Sequence, residues 1–172
     1  MKNKEATNNA CECGGCCDVA LEELLKVKVK YVDVDETKDD AYQPLQAIAV
    51  GDWIDVRSAE TVELKKGDFA EISLGFAMEI PFGFEAHLCP RSSTTKKFGV
   101  LQTNAPGVID NSYCGDNDIW KMPVLAIRDT VIHRGDRIGQ FRLVERMPVL
   151  SFETVKTLGN PDRGGLGSTG RN

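Results

Sequence analysis

Phe69-Ala70-Glu71-Ile72-Ser73-Leu74-Gly75-Phe76-Ala77-Met78-Glu79-Ile80-Pro81-Phe82-Gly83-Phe84-Glu85-Ala86-His87-Leu88-Cys89 holds three extended segments in succession. Ala70, Ile72 and Leu74 alternate with Phe69, Glu71 and Ser73, and Gly75 interrupts. Phe76, Met78 and Ile80 then alternate with Ala77 and Glu79, and Pro81-Phe82-Gly83 is a turn signal. Phe84, Ala86 and Leu88 follow, alternating with Glu85, His87 and Cys89. Side chains of a strand point to opposite faces in turn, so this period of two marks half-buried strands. Upstream, Val27, Val29 and Tyr31 share one face and Lys26, Lys28 and Lys30 the other, ahead of an acidic connection from Asp33 to Asp40. Downstream, strands are expected at Val124 to Ile127, Ile138 to Val144 and Leu150 to Val155, with turns at Lys66-Gly67-Asp68 and Arg134-Gly135-Asp136. Short strands at such spacing argue an all-β sandwich or barrel and not an α/β fold. One short helix is expected from Ser92 to Phe98, ending before Gly99.

The chain has 172 residues, enough for one domain with a core, and its 41% hydrophobic and 27% charged residues are ordinary for a globular protein. A net charge of −5 argues against sequence-independent nucleic-acid binding, which needs a basic footprint. No apolar run approaches the roughly 18 residues of a membrane span, and Met1 to Ala10 lacks a signal-peptide core. A cytoplasmic protein with reduced thiols is therefore expected. Cys11, Cys13, Cys16 and Cys17 crowd too tightly for a disulfide framework; they read as incidental thiols or, less naturally, as zinc ligands or redox thiols. His87 and His133 read as structural or surface residues. Residues 1–22 read as an amino-terminal extension, 23–158 as the β domain and 159–172 as a mobile glycine-rich arm.

Five segments carry chemistry. In Asp162-Arg163-Gly164-Gly165-Leu166-Gly167-Ser168-Thr169-Gly170, glycines let backbone N–H groups converge on an anion, but the run read alone is a glycine-serine tail. Cys89-Pro90-Arg91-Ser92-Ser93-Thr94 offers donors for phosphate at a strand end, but the run read alone is a capped surface helix with a solvated arginine. Asn104-Ala105-Pro106-Gly107-Val108-Ile109-Asp110-Asn111-Ser112-Tyr113 ends an apolar segment in a carboxylate that suits a general base or a simple turn. Asp52 to Ala59 and Arg137-Ile138-Gly139-Gln140 read alone as strands with polar faces.

Their order is more specific than any one of them. Ile54-Asp55-Val56-Arg57-Ser58-Ala59, Pro90-Arg91-Ser92-Ser93, Gly107-Val108-Ile109-Asp110 with Tyr113 and Gly115, Arg137 with Gln140, and Gly164 to Gly170 resemble the five ordered motifs of the trimeric dUTP pyrophosphatase (dUTPase) family. The likeness runs from about Lys26 to Gly170 and comes closest to the form found in Bacillus and its temperate phages. It implies a homotrimer of jelly-roll-like β subunits that share active sites and hydrolyse dUTP to dUMP and pyrophosphate. Gly107, Val108, Ile109 and Asn104 would line the uracil pocket, and Tyr113 would pack beneath the sugar. Asp110 would take a proton from the attacking water, with Gln140 helping to hold that water or the phosphates. Arg91, Ser92 and Ser93 would bind phosphate. Asp55 would hold Mg²⁺ through water. Arg163, Gly164, Gly165, Leu166, Gly167, Ser168 and Thr169 would close over the nucleotide.

Two departures stand out. Leu166 occupies the tail position that usually carries an aromatic stacked on uracil, and Arg163 lies closer to that position than usual. Trp120 is a candidate substitute for the aromatic, with core packing as the competing reading. Alternatives on the same scaffold are a dCTP deaminase and a non-catalytic nucleotide sensor with a regulatory protein partner of unknown kind. Lys121 to Ala126 lacks the glutamate that a deaminase places there.

Overall fold

A computed structural model of the protein describes residues 25–32, 41–47 and 51–164. The cysteine-rich extension, the acidic connection and the run from Gly165 to Thr169 lie outside the described residues. Within them the chain forms eleven strands and one helix: β1 (Lys28–Tyr31), β2 (Ile54–Arg57), β3 (Val62–Leu64), β4 (Phe69–Ser73), β5 (Phe76–Glu79), β6 (Phe84–Pro90), α1 (Thr94–Phe98), β7 (Val100–Gln102), β8 (Gly107–Ile109), β9 (Lys121–Ala126), β10 (Thr130–Ile132) and β11 (Arg137–Glu145). The architecture is nearly all-β, as the alternation requires.

The strands pair antiparallel in a four-stranded sheet ordered β2-β11-β6-β8, a three-stranded sheet β4-β9-β7, and the pairs β1-β5 and β3-β10. The apolar set of the opening run points inward: Ile72, Leu74, Phe76, Met78, Ile80, Ala86 and Leu88 are all buried, while Phe69 is exposed. They meet Val56, Val100, Met122, Val124, Ile138 and Phe141 in one core cluster.

Three local readings change. The helix covers only Thr94–Phe98, because Ser92 and Ser93 form the turn that enters it. It stops at Gly99, whose φ of 65° suits glycine, and Arg128 donates to the free carbonyls of Lys96 and Lys97 at 3.0 and 2.9 Å. β9 begins at Lys121 and runs through Pro123, not after it. The Pro123 carbonyl accepts from Thr103 N–H at 3.1 Å, just past the end of β7. A residue's N–H and C=O point to the same side of a strand, so the missing donor faces beyond β7 and spares the β4 ladder. The strand expected at Leu150 to Val155 does not form: the chain beyond Glu145 has no paired strand among the described residues and lies exposed.

Candidate active site

The turn after β7, with a cis Ala105–Pro106 peptide, returns the chain as β8 along the free edge of β6. Gly107 is buried there, and a Cβ would lie 3.3 Å from Gln102 Nε2 and 3.4 Å from Asn104 Nδ2, so glycine lets both side-chain amides close over the strand. As an edge strand, β8 leaves part of its backbone N–H and C=O set outside the sheet. A cavity of about 420 Å³ opens beside it, lined by Asn104, Val108, Ile109, Asp110 and Tyr113 with Glu71, Ile119, Trp120, Lys121 and Pro123. Polar edge groups beside apolar walls suit a planar heterocycle. Tyr113 is held by its hydroxyl donating to Ile119 O at 3.3 Å. The Glu71–Lys121 pair, 3.3 Å apart at this cavity, was not singled out in the sequence; only the β4-β9 pairing brings it there.

Asp110 follows β8 directly. Its Oδ1 accepts from the Ser112 hydroxyl at 2.5 Å and from Ser112 N–H at 2.7 Å. Those two bonds, the hydroxyl first, hold the carboxyl below the usual carboxylate range. A lowered pKa keeps Asp110 ionised to lower pH, so a rate that needs its carboxylate is lost only as pH falls through the depressed value. Ser112→Ala therefore shifts the acid limb of a kcat/KM profile upward, toward an ordinary aspartate. An unmoved limb would show that Asp110 does not control it.

A second cavity, of about 450 Å³, is lined by Gly51, Asp52, Trp53, Asp55, Arg91, Ser92 and Gln140. Register assembles it: Asp55 of β2 lies opposite Gln140 of β11, which lies opposite Cys89 of β6, with Arg91 two residues on. Arg91 Nε donates to Asp55 Oδ1 at 2.8 Å, and Arg137 Nη1 donates to Asp55 Oδ2 at 3.0 Å. The buried Thr94 fixes the loop, accepting from Arg91 N–H and donating to Ile138 O, both at 2.9 Å. Arg137 thus positions Asp55 across 82 positions of sequence, which no local pattern announces.

The two cavities are far apart within one chain. β6 and β8 are antiparallel with Ala86 opposite Ile109, so Asp110 lies near the Glu85 end of β6 and Arg91 beyond its other end. Six residues of strand separate those levels by roughly 20 Å. Ser93 is exposed in the turn before α1 and makes no side-chain cap bond. Arg163 and Gly164 lie exposed in the segment after β11.

Trp120 is not a lid. It is 1% exposed, with its ring 5.1 Å from Phe76 and 5.1 Å from Phe141, and it belongs to the core cluster. A ring so fully buried among core side chains has no face to offer a base.

A family model described as dUTPase matches residues 49–170. The chain is 53% identical over 146 residues to the SPbeta prophage-derived deoxyuridine 5'-triphosphate nucleotidohydrolase YosS of Bacillus subtilis, covering 85% of this chain and 99% of that one. Among solved structures, a dUTPase of Staphylococcus bacteriophage 80alpha with dUpNHpp aligns with a TM-score of 0.67 at 19% identity, over 84% of this chain and 98% of that one. A dUTPase of phage phi11 of S. aureus, described with a structural Mg(II) ion, aligns with a TM-score of 0.63 at 18% identity, over 78% and 99%. At those identities the structural likeness speaks for the fold.

Proposed function

The chain belongs to the dUTPase family, and from that premise we propose that it hydrolyses dUTP to dUMP and pyrophosphate with Asp110 as general base. What carries the assignment of roles is the division of the chemistry. One cavity has an edge strand, an amide and an exposed carboxylate; the other has the Arg91 cation and the Ser92 hydroxyl beside the carboxylates of Asp52 and Asp55. The first suits a base and sugar, the second a triphosphate.

Asn104, Gly107, Val108 and Ile109 hold the uracil through edge groups, and Tyr113 packs against the deoxyribose. Asp110 takes the proton as the water oxygen bonds to the α-phosphorus, and the bond from that phosphorus to the bridging oxygen breaks to release pyrophosphate. Gln140 orients the water, and Arg91, Ser92 and Ser93 stabilise the growing charge on the phosphate oxygens. No group of three or more His, Cys, Asp or Glu side chains suited to a metal occurs among the described residues. Mg²⁺ needs no such cluster, because it keeps its waters and takes oxygens from substrate phosphates. The carboxylate of Asp55 and the neighbouring oxygens fit that ion held through water. When bound, it would neutralise charge on the triphosphate. The net charge of −5 is then no obstacle, since Arg91, Arg163 and the ion supply local positive charge.

The reading includes a homotrimer. Two half-sites roughly 20 Å apart in one chain become one site if a second copy supplies the other half. The segment after β11 supports this, with Val149 97%, Phe152 90% and Leu158 83% exposed and no partner strand among the described residues. The run from Arg163 to Thr169 then closes over the nucleotide of another subunit. The reading also carries a cytoplasmic address, where free thiols such as Cys89 and Cys114 stay reduced.

Nucleotide turnover with Mg²⁺ tests the proposal. Pyrophosphate is expected from dUTP and not from dCTP, dTTP or UTP. Ammonia released from dCTP would overturn it.

A further inference from the structure

Gln102 is buried at the end of β7, and its Nε2 donates to Leu88 O at 3.0 Å and to Asn104 Oδ1 at 3.3 Å. A backbone carbonyl can only accept. Leu88 O therefore decides which end of the Gln102 amide faces it, and the same nitrogen then meets Asn104. Asn104 must answer with its oxygen, so Nδ2 is its remaining polar end. That nitrogen lies over Gly107, and Asn104 lines the cavity beside β8. The Gln102 Oε1 is buried and without a partner. An apolar side chain would avoid that desolvation cost, so the amide is retained for what its nitrogen does.

We propose that Gln102 is a positioning residue for pyrimidine selectivity: it locks the Asn104 amide with its N–H₂ end toward the base, which accepts a ring carbonyl and rejects a ring amine. The proposal rests on the reading of this cavity as the uracil pocket. Uracil and cytosine differ in presenting an oxygen or an amino group at one ring position, and in whether the adjacent nitrogen carries a proton. A donor fixed by a buried neighbour favours the oxygen. Were Asn104 free to turn over, its own oxygen would accept from the amine, and selectivity would fall.

The test is the ratio of kcat/KM for dUTP to that for dCTP, with thermal midpoints measured alongside. Gln102→Met removes the donor in a side chain of similar length, and the ratio is expected to fall about 10-fold. Gln102→Glu offers Asn104 an acceptor in either protonation state, turning its oxygen toward the base, and the ratio is expected to fall about 100-fold. Asn104→Asp presents only acceptors when ionised and is expected to lower the ratio at least as far, an arm that stands even if a Gln102 variant does not fold. A purely structural role for Gln102 predicts equal losses with both nucleotides; an unchanged ratio in the folded variants overturns the proposal. Failure of the unaltered chain to hydrolyse dUTP would instead sink the reading of the activity.

Discussion

Asp110→Asn lowers kcat for dUTP by roughly 10²–10⁴-fold and leaves nucleotide binding close to that of the unaltered protein. The substitution keeps the shape of the side chain and an oxygen that accepts from the Ser112 hydroxyl and N–H, so the turn after β8 is preserved. What is lost is basicity: an amide oxygen does not take a proton from water near neutral pH. Asp110 is exposed and outside the core, so the fold does not depend on its charge. The measurement pairs kcat with binding of an imido analogue that resists hydrolysis. An unchanged kcat would remove Asp110 from the role of base. A loss of binding equal to the loss of rate would make it a ligand for the nucleotide instead.

Trp120→Ala destabilises the fold by about 3–5 kcal/mol, enough to unfold a marginal domain. The ring is packed edge-on against Phe141 and tilted against Phe76, and its backbone is bonded in both directions: Trp120 N–H donates to Phe76 O and Trp120 O accepts from Leu74 N–H, both at 2.9 Å. Removing it opens a cavity between three sheets that cannot all collapse inward. Trp120 Nε1 is buried without a partner, so Trp120→Phe deletes an unmet donor while keeping most of the contact, and most of the stability is expected to remain. Denaturant unfolding of the two variants checks this. A side chain acting as a lid over the base would give the opposite pattern, with stability unmoved and KM raised in both.

Much of the fold was legible because burial imposes a local period. Residues 69–89 show which side chains point inward without reference to any partner, and Ile72, Phe76 and Leu88 are buried accordingly. The exceptions share a cause. Leu150 to Val155 alternates like a strand, but alternation records only a wish to bury one face, and pairing needs an edge that it does not find among the described residues. The strand expected to begin at Val124 begins at Lys121 instead, because β7 ends before the level of Pro123 and needs no donor from it. Trp120 had two readings in the sequence, since an indole suits a core as well as a stacking face, and the neighbours that decide between them are Phe76 and Phe141, distant in sequence.

The site divides along the same line. By itself the sequence determined the chemistry, because the kinds and order of residues at Asp55, Arg91, Gly107 to Tyr113 and Gln140 restrict what reaction they suit. Tertiary structure alone decided how they are grouped. Strand register placed Asp55, Arg91 and Gln140 at one end of the four-stranded sheet and Asp110 at the other. It also brought Gln102 under Asn104 and Arg137 against Asp55. The physical reason is that hydrogen bonds between strands join residues whose separation along the chain is set by intervening turns and loops, so no local period can encode which side chains meet across the ladder.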